Sequence, residues 1–507
     1  MIRNGSTVIS SGFVGCGVCE ELLSALEERF VETGEPRDLT LVYAAGQGDG
    51  DSKGMNHLAH PGMVRRVIGG HWNLAPRLGK MALDNEIEAY CFPQGVIAHT
   101  YRDIAAGRPT ITHIGLDTFV DPRVNGGKLN SRTTDDLVEV VEIDGRQWLH
   151  YRHVKPDVAF VRGTTADENG NISLEREAIT IDALPAAQAV RNSGGVVIAQ
   201  VERLAHGKLP ARIVKVPGIM VDAVVVARPE NHWQTFEVPY NPAFCGEIRA
   251  PLGTLPPLPF SERKIVCRRG LMEVCGGAIV NIGIGMPDGI PAVAAEEGGS
   301  DAMHLTTESG PIGGIPAGGL SFGVSSNPEA IISQSSMFDF YDGGGLAVAF
   351  LGMAETDEVG NVNVSRFGTR IAGAGGFINI TQSAKKVVYC GTFTAGGLKV
   401  SAEDGKLRID QEGKVRKFIK AVSHLTFCAA NALSKGLNVL YVTERAVFEL
   451  RADGLWLTEI APGVDLQTQV LDQMDFVPKI AEPLREMDAR IFLDQPMGLE
   501  ISCGKQS

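Results

Sequence analysis

The chain has 507 residues, 44% hydrophobic and 21% charged, a balance that fits a globular protein of two or three domains and excludes the disordered and fibrous classes. A formal net charge of −13 argues against nucleic acid as a partner, because phosphate backbones demand a basic surface. No apolar run reaches the roughly 18 residues that cross a bilayer, and the N-terminal MIRNGSTVISSGFVGCG lacks the pattern of a signal peptide, so no membrane partner and a cytoplasmic location are expected.

The first elements read as a strand over residues 5–10, a glycine turn, an amphipathic helix over 19–31 and a strand over 39–44. Such a unit can receive an anion at the helix N-terminus. The glycines at 12, 15 and 17 do not follow the dinucleotide fingerprint, so a nicotinamide enzyme is a weak alternative. Cys16 and Cys19 form a Cys-x-x-Cys at the start of that helix, which reads as packing or as a thiol activated by the helix N-terminus. With nine cysteines scattered along the chain, no disulfide framework is expected.

A helix is predicted over 77–84, then a strand EIEAYCF that runs into Pro93 and Gln94, with a helix continuing to about 106. Gln94 thus stands at the carboxyl end of a strand, where open α/β sheets place ligand contacts; a helix cap is the plainer reading. His57 with His60, and His150 with His153, have the spacing of metal pairs. No acidic or cysteine partner stands near them in a recognisable motif, so they read as structural and no metal is expected. The strands VAFVRG, VVIAQV and DAVVVA alternate with a helix over 184–191, which continues the α/β pattern.

APLGTLPPLP, residues 250–259, carries four prolines and leaves no room for a helix or a central strand. The chain is therefore divided into an N-terminal domain at 1–249, a linker at 250–260 and a C-terminal domain at 261–507. The second half reopens with a helix over 262–275, a strand over 278–282, the turn NIGIGMPDGIP and a helix over 292–297. TADENGNIS at 165–173 and ETDEVGNVN at 355–363 echo each other, as do the glycine turns after the first strand of each half. The expectation is an α/β protein of two related three-layer domains with Rossmann-like open sheets, and a site in the cleft between them.

LTTESGPIGGIPAGGLSFG, residues 305–323, places Glu308 before six glycines and two prolines. Glycine at this density serves either positive-φ turns or a close approach of backbone to a ligand. ESGPIGGIPAGG, with Glu308, Gly310 and Gly313 spaced Glu-x-Gly-x-x-Gly, resembles the active-site motif of family I coenzyme A transferases. NIGIGMPDG, DEVGNVNVSRFG, AGAGGFINI and the PQG at 93–95 resemble further loops of that family. GHWNLAPRL, GLDTFVDPR, YVTERAVFEL and TEIAPG resemble its single-chain branch, which includes acetate and propionate coenzyme A transferases.

The resemblance implies that Glu308 is the catalytic carboxylate, with Gln94 as a side-chain donor to the acyl oxygen. It implies that Gly283, Ile284, Gly285, Asn361, Gly375 and Gly376 contact coenzyme A or supply oxyanion amides. Coenzyme A would be a co-substrate rather than a tightly bound cofactor, exchanged between short-chain acyl-CoA and free acids such as acetate, propionate or butyrate. A homo-oligomer, dimer or tetramer, is implied as well. Arg366, Lys385, Lys386 and Lys399 are candidates for the phosphates. Thioester hydrolysis and a non-catalytic binding module are the competing readings.

Overall fold

Strands β1 (Thr7–Ser10), β2 (Leu39–Tyr43), β3 (Val64–Gly69) and β4 (Glu88–Cys91) alternate with helices α1 (Glu20–Thr33), α2 (Pro76–Leu83) and α3 (Gln94–Ala106) in a computed structural model that describes residues 1–251, 257–299 and 302–501. β5 (Val158–Ala166), α4 (Ala183–Asn192), β6 (Val196–Leu204) and β7 (Ala223–Val226) follow. The strands lie in the order β7-β6-β5-β1-β2-β3-β4, all parallel. Apolar and β-branched runs suit strands covered on both faces, and every residue of β5 is buried. The short strands Ile172–Ser173 and Val214–Val216 add antiparallel pairs, so the sheet is mixed. α1 stops where Gly34 takes a φ of 71° and donates its N–H to Phe30 O, a backbone conformation glycine adopts without strain.

The second sheet comes from α5 (Glu262–Leu271), β8 (Ala278–Ile282), α6 (Ile290–Glu296), β9 (Met303–Thr306), β10 (Val348–Gly352), β11 (Lys386–Cys390), β12 (Asn438–Val442), β13 (Ala446–Arg451), β14 (Gly454–Ile460) and β15 (Lys479–Glu486). Eight of its ten strands run in the order β9-β8-β10-β11-β12-β13-β14-β15, parallel as far as β12, antiparallel through β14, with β15 parallel to β14. Ile265, Val280, Val348, Phe350 and Val388 belong to the core under this sheet. Ser261 caps α5, its hydroxyl accepting from Lys264 N at 3.4 Å.

The two sheets share one topological feature. β1 and β8 each begin a sheet and have later strands on both sides, so the chain order reverses there and a topological switch point opens at their carboxyl ends. Both glycine turns singled out in the sequence stand at these points. Ser11 N donates to Phe160 O at 3.1 Å in one sheet, and Gly283 N donates to Phe350 O at 2.8 Å in the other. The chain is an α/β protein with two related mixed open sheets.

Packing divides the molecule into two compact units, which do not coincide with the two halves of the sequence. The first is Met1–Ala250 with Thr307–Asp339 and Ser365–Asn379; the second is Pro251–Thr306 with Phe340–Val364 and Ile380–Ser507. The change from first to second unit at Ala250 and Pro251 falls in the expected linker, of which residues 252–256 lie outside the described residues. Two pieces of the second half thus complete the first unit. A three-stranded antiparallel sheet (Thr110–Thr112, Arg146–Tyr151, Val138–Ile143) also belongs to the first unit and was not foreseen.

Candidate active site

Glu308 is half-buried, at the second position of a four-residue turn closed by Gly310 N donating to Thr307 O at 3.0 Å. Thr307 N donates to Pro311 O at 3.1 Å, and the Ser309 hydroxyl donates to Gly323 O. The peptide on each side of Glu308 is therefore fixed by bonds that do not involve its carboxylate.

The glycines after Glu308 let the protein's own backbone pass closely. A Cβ on Gly310 would lie 2.0 Å from Ile332 O, and one on Gly314 would lie 2.2 Å from Ser326 O. Gly323 is held against Phe13, a Cβ there falling 2.4 Å from the ring. Phe322 and Val324 join Phe13, Val14, Cys16 and Phe244 in one apolar cluster of the first unit.

Gln94 is the first residue of α3, with Pro93 as its cap, one position earlier than an N-terminal proline would stand. The Gln94 backbone N–H donates to Gly375 O at 2.9 Å, and the Gly375 N–H donates to Gly70 O at 2.7 Å. Gly95 N donates to Asn379 Oδ1 at 3.1 Å, and a Cβ at Gly95 would lie 2.4 Å from Asn379 Nδ2. The carboxyl ends of β3 and β4 thus grip residues 365–379. His71 pairs with Gly373 as an isolated antiparallel bridge, while Trp72 and Asn73 both donate backbone N–H groups to Ala372 O. Burial pushes the His71 imidazole down to about 4, with Arg370 adding to the effect, so it is neutral at neutral pH.

Segment 332–334 joins these two groups. Ile332 N donates to Gly310 O at 3.1 Å, and Gln334 Oε1 accepts from Gln94 Nε2 at 2.8 Å. Glu308, Gln94 and Gly375 are therefore tied into one hydrogen-bonded framework. Gln334, Asn379 and His71 are parts of it that sequence reasoning missed; His71, inside GHWNLAPRL, and Asn379, inside AGAGGFINI, lay in motifs already singled out, whereas Gln334 lay in none.

Gly283, Ile284, Gly285 and Asn361 belong to the second unit, whereas Gly375, Gly376 and Arg366 belong to the first. The Gly283 N–H is taken by Phe350 O, and the Gly375 N–H in the first unit by Gly70 O, so neither is an open donor. Ile284 is 57% exposed, and Gly285 takes a φ of 99° with its carbonyl accepting from Arg263 Nη2 at 3.1 Å. Arg263, which also pairs with Asp288, is a cation at this turn that the sequence did not single out. The Asn361 side chain accepts from Ala429 N at 2.9 Å and donates to Asp357 Oδ2 at 3.1 Å, so it holds its own loop. Of the basic candidates, Lys386 is paired with Glu273, Arg366 donates to Leu129 O at 3.1 Å, and Lys399 is exposed.

Cys16 and Cys19 are buried, and burial pushes the Cys16 thiol up to about 12 and the Cys19 thiol higher still, which removes the activated-thiol reading. His57 and His60 find acidic partners on α1: His57 Nε2 lies 2.9 Å from Glu20, His60 Nε2 lies 2.7 Å from Glu27, and His57 Nδ1 also meets Glu27. These partners lie thirty or more positions away, beyond any local motif. Among the described residues no group of His, Cys, Asp and Glu could hold a metal ion, and no helix is long and apolar enough to cross a membrane.

The coenzyme A transferase family model matches residues 1–227. The chain is 47% identical over 513 residues to the caffeate CoA-transferase of Acetobacterium woodii, covering 100% of this chain and 98% of that protein. The chain belongs to the family I coenzyme A transferases. Within the family it is 46% identical to the acetate CoA-transferase YdiF of Escherichia coli K12, over 96% of this chain and 92% of that one. The crystal structure of YdiF from Escherichia coli O157:H7, an acyl-CoA transferase captured as a thioester complex with CoA, superposes with a TM-score of 0.93 at 45% identity, covering 99% of this chain and 96% of that chain. This chain is accordingly a single-chain CoA-transferase, an enzyme that moves coenzyme A between acyl-CoA and carboxylates.

Proposed function

We propose that the enzyme exchanges coenzyme A between short-chain acyl-CoA and free acids through a glutamyl-CoA thioester on Glu308. The observation that carries this reading is the turn that holds the peptide on both sides of Glu308 and connects it, through residues 332–334, to the Gln94 amide. The Glu308 carboxylate attacks the thioester carbonyl; the C–S bond breaks, coenzyme A leaves as thiolate, and an acyl-glutamyl anhydride forms. The thiolate then attacks the glutamyl carbonyl of the anhydride, forming the glutamyl thioester and expelling the first acid as carboxylate. The second acid runs the two steps backwards, which makes the kinetics ping-pong. A carboxylate nucleophile suits this exchange because each covalent species is close in energy to a substrate or a product.

Each attack creates an oxyanion, and one preorganised donor to such a charge contributes about 3 kcal/mol. Gln94 Nε2 keeps a second N–H beyond the one given to Gln334, and this is the donor assigned to the acyl oxygen. The turn at residues 283–285, at the switch point of the second sheet, and the Gly375–Gly376 backbone are assigned to coenzyme A. Acetate, propionate and butyrate are the favoured acids, in keeping with the small residues that follow Glu308. An aromatic acid of the caffeate type is the second reading, favoured by the 47% identity to the caffeate enzyme. Initial rates with acetate, propionate, butyrate and caffeate as competing acceptors decide between them.

Incubation with acetyl-CoA and proteolysis is expected to yield a Glu308 peptide carrying coenzyme A, released by hydroxylamine. Glu308→Gln should give no adduct and lose exchange by about 10³-fold or more, as loss of a covalent nucleophile does. Exchange at the parent rate by this variant would sink the mechanism.

A further inference from the structure

Behind Gln94 stand two buried polar side chains that the proposed chemistry does not use. Gln334 Nε2 donates to Asp182 Oδ2 at 2.6 Å, while Gln334 Oε1 accepts from Gln94 Nε2 at 2.8 Å. Asp182, Gln334 and Gln94 are all buried. The backbone braces the row, Gln334 N donating to Ile181 O at 3.3 Å and the Thr180 hydroxyl to Ile332 O at 3.0 Å. Among the described residues Asp182 Oδ1 has no hydrogen-bond partner, and the side-chain hydrogen bond to this carboxyl group is the one from Gln334.

A carboxamide has a donor end and an acceptor end of nearly equal shape, and only its neighbours decide which points where. A carboxylate accepts only. An ionised Asp182 therefore admits a single arrangement: Gln334 turns its N–H to Asp182 and its oxygen to Gln94, and Gln94 must answer with an N–H. We propose that Asp182, acting through Gln334, is a positioning residue that sets the orientation of the Gln94 amide during coenzyme A transfer. This rests on the reading of Gln94 given above.

A protonated Asp182 would relax the row, since a neutral carboxyl both donates and accepts and so admits both orientations of Gln334. The groups that face Asp182 are Gln334 from the helix Gln334–Asp342, and His99, Arg102 and Tyr101 from α3. Asp339 holds His99 at 3.1 Å and Arg102 at 2.5 Å, so these cations are partly neutralised. Burial pushes the Asp182 carboxyl up to about 7, against the lowering effects of Gln334, His99 and Arg102. Ionisation, and with it the single arrangement, is gained as pH rises through that value.

The test is kcat/KM against pH for the wild type, Asp182→Asn, Gln334→Leu and each of these combined with Gln94→Ala. The wild type should rise through about pH 7, whereas Asp182→Asn, whose carboxamide admits both orientations, should be flat. At pH 8 each single variant should fall about five- to tenfold below the wild type, the net worth of about one hydrogen bond. In the Gln94→Ala background neither change should cost more, because its effect runs through Gln94. A pH step retained in Asp182→Asn, or a full further loss in the Gln94→Ala background, overturns the proposal; Gln334→Leu carries the same test if Asp182→Asn fails to fold. The Glu308 adduct is measured in parallel. Its absence from the wild type would remove the reading of the site itself, whereas its presence together with additive losses would remove the relay alone.

Discussion

Gly310 has no room for a side chain: its φ is 129°, and a Cβ would sit 2.0 Å from Ile332 O. Gly318, eight residues on, has a φ of −103° and open space around it. Two glycines of one motif are thus held by different constraints. Gly310→Ala should cost about 2–4 kcal/mol, from left-handed backbone strain added to overpacking, and lower activity because Gly310 ties the Glu308 turn to residue 332. Gly318→Ala should change stability by less than about 0.5 kcal/mol. Calorimetric Tm values for the two variants check this, and equal losses would refute it. The sequence made the glycine density legible but not its purpose, because the atoms that exclude a Cβ at Gly310 belong to a residue more than twenty positions away.

Among the elements, the loops Asp167–Asn171 and Asp357–Asn361 are the same device used twice. In the first, Asn171 N and Nδ2 both donate to Asp167, and Asn171 Oδ1 accepts from Gly218 N at 2.9 Å. In the second, Asn361 N and Nδ2 donate to Asp357, and Asn361 Oδ1 accepts from Ala429 N at 2.9 Å. They follow β5 and β10, which hold equivalent places beside β1 and β8. The shared motif is therefore accounted for by local folding. Asn171→Ala and Asn361→Ala should each lose about 1–3 kcal/mol, since each strands a loop amide and a carboxylate, with little change in KM for acyl-CoA. A raised KM at unchanged Tm in Asn361→Ala would instead assign that side chain to coenzyme A. Parallel strands were readable from runs of apolar residues, whereas the hairpin of Val138–Ile143 and Arg146–Tyr151 was not, because its strands are partly exposed and interleave charged with apolar residues.

At the scale of the whole molecule, the first unit is not complete until the chain has passed residue 379. Residues 1–250 alone would lack Phe322 and Val324 from the cluster around Phe13, and would leave the N–H groups of Gln94 and Gly95 without Gly375 O and Asn379. Expressed alone, that fragment should melt well below the full chain and bind an apolar dye; supplied with 251–507 in trans, it should recover a cooperative transition. A fragment that melts like the full chain would contradict this account.

The sequence by itself determined the α/β class, the duplicated strand and glycine-turn pattern, and Glu308 with Gln94 as candidates, because strand periodicity, glycine turns and spaced motifs are written in neighbouring residues. Only the tertiary structure decided that residues 307–339 and 365–379 pack with the first unit, that Gln334 and Asp182 stand behind Gln94, and that the Gly283 and Gly375 amides are already taken. These depend on hydrogen bonds and close approaches between residues that are often more than a hundred positions apart, and such contacts leave no periodic trace in the chain.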